Sequence, residues 1–433
     1  MVHRGPATAW SRRRCGSGNL YGCSRLSRLP DSKPQRAVLS RPKFSVLPLF
    51  PPRAPFLGLV DPMRILVTTF PAYGHLHPMV PLAVAAIERG DDVRVATGRT
   101  FGNWVEACGL SATPAGFDAE DLEAKASARF PGPLRNAHMF TTIAVPRMLD
   151  DLIELSTTWR PDLIIHEESE YAGPLAATLL GVPCITHSWA AAAYPQAERE
   201  TDRDLLAPIW AQRHAGQPVL CGDAYLDACP PPFQTEAILA IDGVRPIRPV
   251  PFDGPQTSPP EWLARIERPA AYVSFGTVPQ FSRAEWLQQA MDAASQVVAS
   301  VIVTCGPNSP ELLVPSSASV FVEQYLPQSS VLEHVDVVVS HGGAGTTLGA
   351  LCHGLPHVVI PHGATSQQIN AERVDALGIG MHVTDDHLRS LPAAIHAAAT
   401  EPAYAIAAAR VRDALNELPS PEVVLTELLN DFT

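Results

Sequence analysis

The chain has 433 residues, enough for two domains that each bury a core of their own. With 46% apolar and 18% charged residues it reads as globular and not disordered, and a net charge of −12 excludes a partner held through nucleic-acid phosphates. The charge is uneven: residues 1–62 hold nine Arg and two Lys against two Asp and no Glu, a local +9 that leaves −21 on the other 371 residues. Pro48, Pro51, Pro52 and Pro55 interrupt the apolar runs of this stretch, which argues against membrane insertion and against a signal-peptide core. Its Arg- and Ser-rich text fits either a transit peptide or an extension upstream of a true start at Met63; the second is the working expectation, with residues 1–62 disordered. Eight cysteines are scattered without a C-x-x-C pair, which predicts reduced thiols in the cores of a cytoplasmic protein and no zinc site.

From Met63 the chain alternates strand and helix. Residues 64–69 form a strand, 70–77 a loop carrying Gly74 and His75, and 78–89 a helix stopped by Gly90. A second strand at 93–97 completes a strand-helix-strand unit and so predicts a parallel sheet, with ligands beyond the carboxyl ends of its strands. Residues 118–158 are expected to be helical, with Met139, Phe140, Ile143, Met148, Leu152 and Leu155 on one apolar face that reads first as core and second as a substrate wall. A strand at 163–166 delivers Glu167 and Glu168 at its exit, and a helix at 172–180 and a strand at 182–187 follow. The text from 190 to 240 reads as acceptor-facing loops and helices, and its Asp202-Arg203-Asp204 triplet is assigned to a solvated helix face in preference to a metal site.

Six prolines between 246 and 260 mark a linker, giving a first domain at 63–245 and a second at 261–403, with a helical segment at 404–433 broken near Pro419 and Pro421. In the second domain the strand at 271–275 leads to Gly276-Thr277, a helix covers 283–298, and strands follow at 301–304 and 320–323. Tyr325-Leu326-Pro327-Gln328 then precedes a short helix at 329–334. Val337-Val338-Val339 is a buried strand that opens into His341-Gly342-Gly343-Ala344-Gly345-Thr346-Thr347 and a helix. Glycines admit an anion close to the backbone, and the first N–H groups of a helix are unpaired at its positive dipole end. This stretch is therefore a cradle for a diphosphate, with His341, Thr346 and Thr347 as side-chain donors.

The stretch from His341 to Thr347, followed by Gly354-Leu355-Pro356, Pro361 and Gln367 and preceded by Tyr325 to Gln328, resembles the nucleotide-sugar signature of family 1 GT-B glycosyltransferases. Gly74-His75-Leu76-His77-Pro78 resembles the N-terminal loop of the same family, and the likeness is to bacterial enzymes that decorate polyketides and other natural products. The resemblance implies two Rossmann-like doubly wound α/β domains facing across a cleft. It implies an inverting sugar transfer from UDP or dTDP to a hydroxyl of a small, largely apolar aglycone, without metal or further cofactor. Carried over residue by residue, it makes His75 the general base and Glu167 its partner, with His77 and Glu168 as rivals.

The same resemblance assigns the diphosphate to His341, Gly343, Gly345, Thr346 and Thr347, with Thr277 and Gly74 nearby. It places the base on Tyr325, Leu326 and Gln328, and the sugar near Ser366 and Gln367. Two positions depart from the pattern. Gly349 stands where many relatives have a ribose-binding Glu, and Ala364-Thr365-Ser366-Gln367 replaces the usual sugar-binding triplet and has no Asp. Two other readings compete: a non-catalytic GT-B protein that activates another glycosyltransferase, and a sugar-nucleotide epimerase that needs no acceptor.

Overall fold

The computed structural model describes residues 62–189, 196–255 and 258–432; the extension expected at 1–62 lies outside this range except for Pro62. The first half builds a parallel sheet from β1 (Arg64–Thr68), β2 (Asp92–Thr97), β3 (Ser111–Pro114), β4 (Leu163–Glu167), β5 (Cys184–His187), β6 (Ala224–Asp227) and β7 (Val244–Pro246), in the order β3-β2-β1-β4-β5-β6-β7. Its helices are α1 (Tyr73–Leu76), α2 (Val80–Arg89), α3 (Gly102–Ala107), α4 (Ala119–Arg129), α5 (Arg135–His138), α6 (Ala144–Thr158), α7 (Ala172–Leu180), α8 (Gln196–Gln212) and α9 (Glu236–Leu239). β1 and β4 are buried almost throughout, which is why they read as continuous apolar runs. The polar edge strand β3 carries no such signal and was not read from the sequence.

The second half builds a parallel sheet from β8 (Ala270–Ser274), β9 (Ser300–Thr304), β10 (Val320–Glu323), β11 (Val337–Ser340), β12 (His357–Val359) and β13 (Gly380–His382), in the order β10-β9-β8-β11-β12-β13. Around it lie α10 (Ala284–Ser295), α11 (Gln328–Leu332), α12 (Ala344–His353), α13 (Thr365–Ala376), α14 (Leu391–Thr400) and α15 (Pro402–Asn416). The last helix, α16 (Pro421–Phe432), returns to the first half: Val424, Leu425, Leu428 and Leu429 join the core built on Ile65, Val67 and Leu82. Each sheet reverses its strand order once, between β1 and β4 and between β8 and β11, and ligands of such sheets bind in the crevice at that reversal.

Three expectations change in detail. The segment before Pro78 is not a loop: α1 starts at Tyr73, so His75 sits in a helical turn, with Pro78 and Pro81 near the starts of the next helical pieces where a missing N–H costs nothing. The long helix expected over 118–158 is broken at Pro131-Gly132-Pro133, where Gly132 has φ +134°, and resumes through a π-helical turn at Met139–Ile143. Its apolar face consequently divides, Phe140 and Met139 bordering the cleft while Met148 and Leu152 pack in the core. Finally, Asp202 does not lie on a solvated face, because its side chain is buried and accepts the Tyr171 hydroxyl at 2.7 Å. The six described cysteines are free thiols, and no described helix is long and apolar enough to cross a membrane.

Candidate active site

The two strand-order reversals face one cleft of about 970 Å³. On the first sheet, the turn after β1 carries His75 and the end of β4 carries Glu167, and His75 Nδ1 lies 2.9 Å from Glu167 Oε1. Glu167 is fully buried, and its other oxygen accepts the Ser169 N–H at 2.7 Å, so the carboxylate is fixed in orientation. With Nδ1 engaged, Nε2 is the nitrogen left to meet a substrate. The His75 ring is stacked against Trp189 at 4.5 Å and lies 5.1 Å from Phe70 and 5.9 Å from Phe140. Trp189 Nε1 donates to Ser169 Oγ at 3.3 Å, closing a path from the indole to the Glu167 carboxylate. Nothing in the sequence places Trp189 over a histidine 114 positions earlier.

The rivals are engaged elsewhere. His77 borders the cleft, but its Nε2 accepts the Trp104 indole N–H at 3.1 Å, and its ring makes a backbone hydrogen bond at Phe252. Burial pushes it down to about 4, so it is a neutral structural imidazole at physiological pH. Glu168 turns away into the core, where it accepts the Tyr225 hydroxyl at 2.5 Å and burial raises its pKa.

On the second sheet, β11 opens into α12, whose N-cap is Gly343 in extended conformation. The turn is fastened from beneath: Gly342 N–H donates to Ser340 Oγ at 2.9 Å and Asn370 Nδ2 donates to the Gly342 carbonyl at 2.8 Å. The glycines serve different ends. A Cβ on Gly343 would lie 2.5 Å from His341 Nε2, and one on Gly342 would lie 2.7 Å from Val359, whereas a Cβ on Gly345 would meet nothing within 4 Å. The first two make room for protein, and the third leaves room for a ligand. His341 is 6% exposed, with no hydrogen-bond partner on Nδ1; burial and the neighbouring His362 and His357 push it down to about 3, so it is neutral. Thr277 enters from the loop after β8, and Ser366 and Gln367 from the first turn of α13, so a second helix start borders the same cleft. Gln367 Oε1 accepts the His362 N–H at 2.8 Å.

Gly74, His75, Thr277, Tyr325, Leu326, Gln328, His341, Gly343, Gly345, Thr346, Ser366 and Gln367 all border this cleft. Thr347 does not: it is fully buried on the inner face of α12, one residue past the turn that points outward. At the site of the missing glutamate, the Gln328 side chain fills the space, since a Cβ on Gly349 would lie 2.5 Å from its Oε1. Arg248 is the single Arg or Lys among the described residues that border the cleft. An anion there is met by helix N-termini and neutral donors, each helix end contributing ~0.3–1 kcal/mol and up to ~2 kcal/mol when partly buried.

Comparison with known proteins gives a consistent result. Residues 133–272 match the family described as erythromycin biosynthesis protein CIII-like, N-terminal domain, and residues 288–430 match its C-terminal domain. The chain is 32% identical to the L-demethylnoviosyl transferase of Streptomyces niveus, over 84% of this chain and 96% of that protein. Among solved structures it resembles the glycosyltransferase SnogD of Streptomyces nogalater (29% identity, TM-score 0.70, 86% of this chain and 99% of the other). It also resembles the glycosyltransferase SsfS6 of Streptomyces sp. SF2575 complexed with thymidine diphosphate (26% identity, TM-score 0.71, 85% and 99%).

Proposed function

The chain belongs to the erythromycin biosynthesis protein CIII-like family, GT-B glycosyltransferases of bacterial natural-product pathways, and on that premise we propose that it transfers a deoxysugar from a dTDP-sugar to a hydroxyl of a largely apolar aglycone with inversion. The observation that carries the reading is the 2.9 Å His75–Glu167 pair set across one cleft from the open helix start at Gly345. His75 Nε2 takes the proton of the acceptor hydroxyl while the acceptor oxygen attacks the anomeric carbon from the side opposite the diphosphate. The anomeric carbon–oxygen bond breaks, and the electron pair leaves with the diphosphate. Glu167 stabilises the imidazolium that forms, and the stacked Trp189 face favours the same charge. The charge growing on the leaving group is met by the first N–H groups of α12 and by Thr346, donors already in place before the reaction. In this reading no metal or further cofactor is called on.

The thymidine choice is supported by position 349. A ribose 2′-hydroxyl needs a partner, Gly349 has no side chain to offer, and the Gln328 amide occupies the space a longer residue would use. The relative SsfS6 binds thymidine diphosphate. The test is calorimetric titration of dTDP against UDP, followed by mass spectrometry of products from dTDP-deoxysugars offered with a panel of polyketide and aromatic aglycones. Tighter binding of dTDP by about ten-fold or more is expected, roughly the worth of one well-made hydrogen-bond difference. Equal or stronger UDP binding would remove the deoxysugar assignment, and sugar loss without an acceptor product would remove transfer.

A further inference from the structure

The linker between β7 and β8 holds a residue that the reaction does not use. Asp253, which borders the cleft, faces the second sheet with three hydrogen bonds: Oδ1 accepts the Gln328 N–H at 3.0 Å, Oδ2 accepts the Ser329 N–H at 3.0 Å, and its carbonyl accepts the Tyr325 hydroxyl at 2.5 Å. Gln328 and Ser329 open α11, and the first N–H groups of a helix have no acceptor within it. Each carboxylate oxygen thus accepts a main-chain N–H, which fixes the Asp253 side chain against the start of α11.

Its neighbours face the first sheet. The Phe252 ring stands edge-on to His77 at 5.2 Å, and the His77 ring makes its hydrogen bond at the Phe252 backbone. Gly254, at φ +84°, lies so close to Trp104 that a Cβ would be 2.3 Å from the indole. Three consecutive linker residues therefore clamp the helical turn that follows His75 on one side and the Tyr325–Ser329 segment on the other.

We propose that Asp253 is a positioning residue for donor recognition: it seats Tyr325 and Gln328 for the nucleoside and ties that seat, through Phe252 and His77, to the turn that carries His75. The inference rests on the cleft being a dTDP-sugar site. It acts on the nucleoside end of the donor and not on the diphosphate end, which α12 holds independently.

That division supplies the test. Inorganic pyrophosphate reads the α12 cradle alone, and dTDP reads the cradle plus the nucleoside seat. With the full chain, Asp253→Ala is expected to weaken dTDP about ten-fold or more while pyrophosphate stays within about two-fold, and Asp253→Asn, which keeps one acceptor oxygen, falls between. In turnover the donor KM rises and kcat at saturating donor changes by less than about three-fold. Tyr325→Phe removes only the phenolic bond and keeps the ring; a loss of about three-fold in dTDP binding with pyrophosphate unchanged is expected, and this variant carries the test if the Asp253 variants fail to fold. Unchanged dTDP affinity in folded variants overturns the proposal, as does an equal loss of pyrophosphate binding. A wild-type chain that binds no dTDP overturns instead the reading on which it rests.

Discussion

The two walls of the cleft are made from different material. The wall proposed for the diphosphate is mostly main chain, the end of β11 and the start of α12 from Ser340 to Thr346. The wall proposed for the aglycone is side chains, drawn from Phe70 after β1, Phe140 in the π-helical turn, Trp189 beyond β5 and Val250 in the linker. A diphosphate has the same oxygens in every donor, so fixed backbone donors suit it. An aglycone is recognised by shape and apolar area, which only side chains gathered from distant elements provide.

The comparison can be broken most sharply at His75. His75→Ala should lower kcat by roughly two to four orders of magnitude and leave the dTDP Kd within about two-fold, as loss of a general base does. A matching loss of dTDP binding would show that His75 belongs to the donor wall instead. Next come the cradle glycines. Gly345→Ala places a methyl in open cleft, so dTDP binding should weaken by about ten-fold while the melting temperature holds or rises, alanine being the better helix former by ~1 kcal/mol. Gly343→Ala drives a methyl into the His341 ring and should lower both binding and melting temperature. Equal behaviour of the two variants would refute the distinction between glycines that make room for protein and glycines that make room for ligand.

A smaller effect is expected beneath the dyad, at Glu170, whose carboxylate accepts the Ala172 and Gly173 N–H groups and the Thr68 hydroxyl. Burial lifts it to about 7, with those hydrogen bonds opposing the shift. Because the folded pKa exceeds the unfolded one, the stability this group contributes is full below about 4.5 and is lost as pH rises through about 7, ~3 kcal/mol in all. Glu170→Gln removes that loss, so the melting temperature of the variant minus that of the wild type should increase by a few degrees between pH 5 and pH 8. A difference that is flat or falls with pH contradicts the assignment. The smallest effect is at Thr347, buried with no partner on its hydroxyl. Thr347→Val should be neutral or stabilising by up to ~1 kcal/mol and leave dTDP affinity unchanged; a clear loss of binding would return Thr347 to the donor wall.

Legibility followed the same divide. The strand-to-helix turn at Gly342–Gly345, the strand alternation and the likeness around His75 were readable because each is local: a buried strand is an apolar run, and this helix start is marked by glycines and hydroxyls in immediate succession. Thr347 was misplaced by one position because sequence adjacency does not say which way a helical side chain points, and its neighbour Thr346 faces the cleft while it faces the core. The edge strand β3 and the turn at Tyr73 carried too little apolar signal to be found.

By itself the sequence determined the two-sheet architecture and the glycine-rich turn between β11 and α12, since these depend on periodicity and on neighbouring residues. Only the tertiary structure decided that Glu167 and not Glu168 meets His75, that Trp189 covers its ring, and that the Asp253 carboxylate meets the first N–H groups of α11. Each of these joins residues more than 70 positions apart. Such pairings are set by the order in which strands enter a sheet, and the stretches of chain that they join carry no mark of one another.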